Sequence, residues 1–152
     1  MSENQKVGTP EEVPAKGAQE KRIAKVFGLK GVPLVNKETL RAYARFLEEN
    51  LDRPCWLNGI EDFPWEEFFV WGPGSAAEYA RLRKTQPSYR DDLDLIEIER
   101  ELDPDHGLLA KVRRASDGKT FHLPLEDLKA KDRRSRNRQL LWDHAVWSVN
   151  YR

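Results

Sequence analysis

The clearest pattern of apolar and polar positions is a helical stripe in the first third of the chain. Its apolar members, spaced three or four residues apart, are Leu40, Tyr43, Phe46 and Leu47. This spacing places them on one face of a helix. Asn36 precedes the stripe and is a favourable N-cap residue, because its side chain can accept a hydrogen bond from the first helical turn. The pattern therefore predicts a helix from about Lys37 to Leu51.

Elsewhere the apolar residues occur in short runs, many of which alternate with polar residues, as is typical of strands. The predicted strands are 55–57, 65–71, 91–101, 108–114 and 120–123. Asn58-Gly59 and Asp117-Gly118 are turn signals that suit hairpins. Ser75 is expected to cap a short helix over about 76–84. A last short helix, passing into an extended segment, is predicted for the C-terminal residues.

These elements predict an α+β protein with a small, strongly curved, mostly antiparallel sheet and two or three helices. An SH3-like barrel is one shape that the C-terminal half could adopt. Residues 1–20 are rich in Glu, Lys, Pro and Gly, so they bury too little apolar surface to offset their ordering entropy. We expect them to form a disordered tail before a single domain over residues 21–152.

The total charge is balanced, with 26 Lys and Arg residues and 26 Asp and Glu residues. Dedicated nucleic-acid-binding domains are usually basic, so this balance argues against that class. The one cysteine, Cys55, excludes an internal disulfide and favours a reducing compartment. The polar N-terminus has no apolar signal region, and no apolar run is long enough to span a membrane. The expected location is the cytoplasm.

Acidic residues are concentrated near two turns and along one predicted strand. Carboxylate oxygens on loops are the ligands that Ca²⁺ prefers. The EF-hand pattern fails, because Gly107 falls one position too early after Asp103 and Arg114 occupies the twelfth position. The alternative interpretation is a solvated acidic face that balances the Lys and Arg residues.

Four segments within roughly residues 35–152 are together similar to a known protein family. They are LNGIEDFPWEEFFVWGPGSAAEYARL, KTQPSYRDDLDL, SDGKTFHLPLEDLKA and LLWDHAVWSVNYR. In this order they resemble the bacterial calcium-binding protein family typified by the cyanobacterial protein CcbP. The resemblance implies a non-EF-hand Ca²⁺-binding protein that buffers or senses cytosolic calcium. The acidic positions inside these segments, taken as the metal ligands, are Glu61, Asp62, Glu66, Glu67, Asp91, Asp92 and Asp94.

A second hypothesis rests on the basic run 129–138, which holds six basic residues and one Asp. Such a run could bind a protein partner or phosphate backbones, although the balanced total charge makes nucleic acid the less expected partner. No nucleophile motif, phosphate loop or cofactor fingerprint occurs in the chain, so we do not expect an enzyme. The function predicted first is therefore a cytosolic Ca²⁺-binding protein, and the alternative is a module that binds a macromolecular partner through the basic run.

Overall fold

A computed structural model describes residues 11–103 and 107–152, without the side chains of residues 100–103. This part of the chain forms two antiparallel sheets and five helices, which confirms the α+β class. The larger sheet has the strand order β6-β5-β4-β3-β7 and does not close into a barrel. Its strands are β3 (Trp56–Gly59), β4 (Leu93–Asp103), β5 (Gly107–Arg114), β6 (Thr120–Pro124) and β7 (Leu128–Ala130).

The structure differs from the sequence prediction at the N-terminal end. Strands β1 (Glu12–Pro14) and β2 (Gly31–Pro33) pair with each other, and helix α1 (Ala18–Val26) lies between them. The predicted disordered tail, 1–20, therefore includes residues with regular structure from Glu12 onward, while residues 1–10 lie outside the described residues. Long-range contacts that composition does not reveal hold this segment in place.

The helix predicted at 37–51 is confirmed as α2 (Lys37–Asn50). The Asn36 side chain accepts a hydrogen bond from the Thr39 N–H (2.9 Å), and the Thr39 hydroxyl accepts one from the Asn36 N–H (2.8 Å). This reciprocal cap satisfies donors that the first helical turn would otherwise leave unpaired. Helix α4 (Ala76–Leu82) begins after Ser75, whose side chain accepts from the Glu78 N–H, also as predicted.

The strand predicted at 65–71 is wrong. Residues Pro64–Glu66 form a 3₁₀ turn that continues into the short helix α3 (Glu67–Val70). Proline suits the start of a helical turn because it lacks an N–H to satisfy, and the Glu66 carboxylate accepts a hydrogen bond from the Phe63 N–H. These local bonds override the strand preference of the aromatic residues. Asn58-Gly59, expected to be a turn, instead belongs to β3 and pairs with β7.

The last helix, α5 (Arg136–Asn150), is longer than predicted and includes most of the segment expected to be extended. Its buried face contributes Leu141, Ala145 and Trp147 to the core. The Trp147 ring packs on Tyr43 of α2 with ring centroids 4.9 Å apart, and its indole N–H donates to the Pro33 carbonyl (2.9 Å). None of the described helices is long and apolar enough to cross a membrane.

Candidate functional site

The seven acidic residues named from the sequence do not meet at one point. The structure divides them into a buried pair, a half-buried pair beside β3 and β4, and a set of three on one wall of a surface groove. The buried pair is Glu66 and Asp91; the half-buried pair is Asp92 and Asp94; the groove set is Glu61, Asp62 and Glu67.

Glu66 is fully buried and holds two loops together. One carboxylate oxygen accepts hydrogen bonds from the N–H groups of Phe63 and Tyr89, both at 3.0 Å. The other accepts from the hydroxyls of Tyr79 (2.7 Å) and Ser88 (2.5 Å). A carboxylate has about four acceptor positions, so these four donors use its capacity. Glu66 therefore serves the fold and has no position left for a metal ion.

Asp91 is the second buried carboxylate and is paired with the buried guanidinium of Arg114 at 2.9 Å. It also accepts a hydrogen bond from the Ser88 N–H (2.8 Å). Arg114 donates further to the carbonyls of Arg83, Lys84 and Gln86 and to the Asp117 carboxylate. The guanidinium holds the pKa of Asp117 at about 2, well below its usual range.

Together these bonds form a buried polar network, consisting of Glu66, Tyr79, Ser88, Asp91 and Arg114. Ser88 joins its two halves, because its hydroxyl donates to Glu66 while its N–H donates to Asp91. The network fixes the loop between α4 and β4 against the sheet. Gly59 allows the same loop to approach, since a Cβ there would lie 2.6 Å from the Cβ of Tyr89.

Asp92 and Asp94 lie beside the junction of β3 and β4. Asp92 forms an ion pair with Lys131 (2.8 Å) and accepts from the Asn58 amide (3.0 Å). These two hydrogen bonds lower the pKa of Asp92 below its usual value. Asp94 is opposite Trp56 in the sheet register. Asp92 lines a different pocket, which has no lining residue in common with the groove that Glu61, Asp62 and Glu67 line.

The acidic groove lies between the segment after β3 and the C-terminal half of α5, and encloses about 440 Å³. Glu61, Asp62 and Glu67 line one wall, and Glu126 and Asp127 join them from the turn before β7. The apolar lining residues are Ile60, Phe63, Pro64, Trp142, Ala145, Val146 and Val149. Glu126 is paired with Arg152, whereas Glu61 and Glu67 have no ion pair within the described residues. The groove is therefore both apolar and negatively charged.

A second groove of about 550 Å³ continues from the acidic groove along the N-terminal half of α5. The two grooves share Ile60 and Trp142. The basic residues that line this second groove are Arg22, Lys129, Arg133 and Arg138. Arg22 is neutralised by Asp143 at 2.8 Å, but Lys129 and Arg133 have no carboxylate partner within the described part of the chain. We refer to the two grooves together as the α5 channel.

The charges of the α5 channel oppose those that would stabilise α5. A helix has a partial positive charge at its N-terminus and a partial negative charge at its C-terminus, so acidic residues suit the first turn and basic residues the last. The first turn of α5 has no acidic residue and the last turn has no basic one. Basic side chains flank its N-terminal half and acidic ones its C-terminal half. The partial charges of the helix and the charges of the flanking side chains have the same sign at each end, so the channel is electrically polar along its length.

The sequence interpretation missed Glu126, Asp127 and Trp142. The available signal was the pattern inside α5, where Trp142, Val146 and Val149 recur at helical spacing on a face separate from the buried Leu141 and Trp147. When a helix has two apolar faces and packs one of them on the core, the other face stays exposed to solvent. Reading the C-terminal segment as partly extended concealed this second face.

No group of three or more His, Cys, Asp and Glu side chains within the described residues is placed to hold a metal ion. The comparisons with known proteins leave the family resemblance as a prediction. The chain matches no protein-family model, and neither the curated proteins nor the solved structures contain a match to it.

Proposed function

We propose that this protein is a binding module that takes up a polypeptide segment in the α5 channel. The observation that carries the proposal is a continuous surface with an apolar and acidic end and a basic end, which meet at Ile60 and Trp142. A polypeptide offers apolar side chains and charges of both signs along one length.

The apolar lining favours a polypeptide over a small ion. Trp142 is 51% exposed and Val149 is 54% exposed, although both lie on a helix whose other face is buried in the core. Covering apolar surface stabilises a complex by about 25 cal/mol per Å² before the entropy of association is subtracted. Tryptophan is also enriched among the residues that dominate binding energies. Ca²⁺, in contrast, is bound through oxygen ligands, which these apolar side chains do not supply.

The charges select the direction of the bound segment. Glu61 and Glu67 attract a basic end, and Lys129 and Arg133 attract an acidic end. Reversing the segment would oppose like charges at both ends, which costs several kcal/mol when the charges are close. The basic run 129–138 then acts as one half of the site.

The test uses two synthetic amphipathic peptides of the length of α5 and of equal composition. One peptide has Lys in its first half and Glu in its second, and the other has the reverse order. Each peptide contains a single terminal Cys. Each peptide carries a nitroxide label at that Cys, so paramagnetic broadening of backbone amide signals along α5 reports the direction of binding. We expect both peptides to bind in the same charge orientation, with the Lys half over Glu61 and Glu67.

The matched control compares Trp142→Ala with Trp56→Ala, because both Trp side chains are exposed but only Trp142 lines the α5 channel. Trp142→Ala should weaken binding at least tenfold and Trp56→Ala should leave it unchanged. The proposal is contradicted if neither peptide perturbs the α5 signals at about 1 mM, an affinity of roughly −4 kcal/mol.

Calcium binding at the acidic end is the second candidate function. The observation that favours it is that three of the seven named residues, Glu61, Asp62 and Glu67, line one groove together with Glu126 and Asp127. Ca²⁺ takes six to eight oxygen ligands at about 2.3–2.6 Å, so these side chains would have to close around the ion by changing rotamers.

Isothermal titration of the metal-free protein with Ca²⁺ tests this candidate. Glu61→Gln with Glu67→Gln should weaken binding, since each change removes an anionic ligand from the groove. Asp92→Asn is the matched control, because Asp92 is an acidic residue of the same family-derived set that pairs with Lys131 outside the groove. The absence of heat up to about 1 mM Ca²⁺, the weak limit of protein calcium sites, would exclude this function.

A further inference from the structure

We infer that the α5 channel binds a second copy of this chain, with the two α5 helices antiparallel across a two-fold axis at Trp142. The inference rests on the proposed function, since it names the polypeptide that occupies the channel. It follows from the distribution of charge and apolar surface about Trp142.

The α5 channel is self-complementary. A two-fold axis brings residue i of one copy to residue j of the other and residue j to residue i. With the axis at Trp142, the acidic half of each copy faces the basic half of its partner. Glu61 and Glu67 of one copy then approach Lys129 and Arg133 of the other, and the same contacts occur a second time.

The spacing along α5 fits such an axis. The basic half lies beside Ser135, Arg138 and Gln139, three to seven residues before Trp142. The acidic half lies beside residues 145–150, three to eight residues after it. At about 1.5 Å per residue, each half extends about 10 Å from Trp142. A rotation of 180° about this residue therefore places halves of similar length over each other.

An exposed aromatic side chain falls where the interface would have its centre, because Trp142 of each copy lies at the axis. The exposed Val149 lies in the acidic half, farther along the same face. Charged residues lie on both sides of Trp142, which agrees with the usual arrangement of an apolar interface centre and a polar rim. The antiparallel helices also place the positive N-terminal end of one α5 beside the negative C-terminal end of the other.

Two charge-reversal variants test the inference by sedimentation velocity over about 1–200 μM, a range that covers interfaces of moderate affinity. Glu61→Lys with Glu67→Lys places two cations opposite Lys129 and Arg133 of the second copy, and Lys129→Glu with Arg133→Glu places two anions opposite its Glu61 and Glu67. We expect the wild type to dimerise, and each variant alone to associate at least tenfold more weakly. Mixed in equal amounts, the two variants should form a heterodimer, because opposite charges then meet at both ends.

The control is Arg41→Glu with Arg45→Glu, which reverses two exposed charges on α2 outside the channel. It should dimerise like the wild type. Circular dichroism checks that all variants fold, and a heterodimer itself requires both variants to be folded. The inference is overturned if the wild type is monomeric at the highest concentration, or if mixing restores no association. A monomer that still binds the labelled peptides would overturn the inference alone and leave the proposed function standing.

Discussion

Glu66 and Glu67 are neighbours in the chain but belong to regions with opposite physical demands. Glu66 is 0% exposed and accepts four hydrogen bonds within the buried polar network. Glu67 lies on the wall of the acidic groove and has no ion pair within the described residues. The first is committed to holding loops together, whereas the second is available to a ligand.

The number of carboxylates in a segment therefore does not measure the capacity of that segment to bind a ligand. A buried charge is tolerated when hydrogen bonds, as at Glu66, or an opposite charge, as at Asp91, compensate for its lost hydration. That compensation occupies the acceptor positions a metal or a peptide would use. Only carboxylates outside such a network can contribute to binding, which limits the named set to the groove residues and the pair beside β3.

The largest expected difference between the two regions comes from removing the cation of the buried network. Arg114→Met should lower the free energy of unfolding by about 3–5 kcal/mol, because it removes the closer and buried cation of Asp91 and leaves only Arg83, at 3.5 Å, beside this buried charge. Urea denaturation measures the loss. Arg113→Met, an exposed neighbour on the same strand, should change stability by less than about 0.5 kcal/mol. Similar losses in both variants would refute the division into buried and available charges.

The adjacent glutamates give the next largest contrast. Glu66→Gln replaces an acceptor oxygen by an amide that faces donors, so we expect a loss of about 2–3 kcal/mol in unfolding free energy. Glu67→Gln should change it by less than about 0.5 kcal/mol. The measurement is again urea denaturation at neutral pH. If Glu67→Gln lowers the free energy of unfolding as much as Glu66→Gln does, the groove wall has a structural role that its contacts do not reveal.

His144 is a buried polar group of a different kind. Neither of its ring nitrogens has a hydrogen-bond partner within the described residues, and burial lowers the pKa of His144 to about 3. The unfolded chain binds a proton near pH 6.5 while the native state does not, so stability falls as the pH is lowered from about 6.5 towards 3. The expected contribution of this residue is a loss of about 2 kcal/mol between pH 7 and pH 5.

His144→Phe removes the titrating group and keeps a ring beside Tyr43, whose centroid lies 5.0 Å away. The stability of this variant should therefore depend less on pH in that range, as measured by urea denaturation at pH 5 and pH 7. His122→Gln is the matched control, since His122 is exposed and contacts Glu99. An unchanged difference between the two pH values for His144→Phe would contradict the prediction.

The smallest effect on stability is expected in the groove. Glu61→Gln combined with Glu67→Gln should shift the free energy of unfolding by less than about 0.5 kcal/mol, because neither side chain has an ion pair to lose within the described residues. The same variant should bind the labelled peptides several-fold more weakly, because a basic segment loses two charges opposite it. A large loss of stability without a loss of binding would reverse the roles assigned to the two regions.

Local patterns predicted part of the fold well. Helix α2 with its Asn36 cap, helix α4 with its Ser75 cap, and strands β4, β5 and β6 all occur close to their predicted positions. Each depends on residues within a few positions of one another, through side-chain periodicity, capping groups or a turn. The strand predicted at 65–71 failed because aromatic content is a weak guide where Pro64 and Glu66 supply local helical hydrogen bonds.

The α+β class, the principal helix with its cap, the successive antiparallel strands and the acidic character of the segment around Glu61 all follow from local sequence patterns. Which carboxylates are buried and which line the α5 channel depends on how distant segments pack. The partners of Glu66 in the Ser88 loop are 22 and 23 residues away, and Arg114 is 23 residues from Asp91. Burial and pairing are set by such long-range contacts, because hydration is lost only when distant segments pack together. No local pattern carries that information.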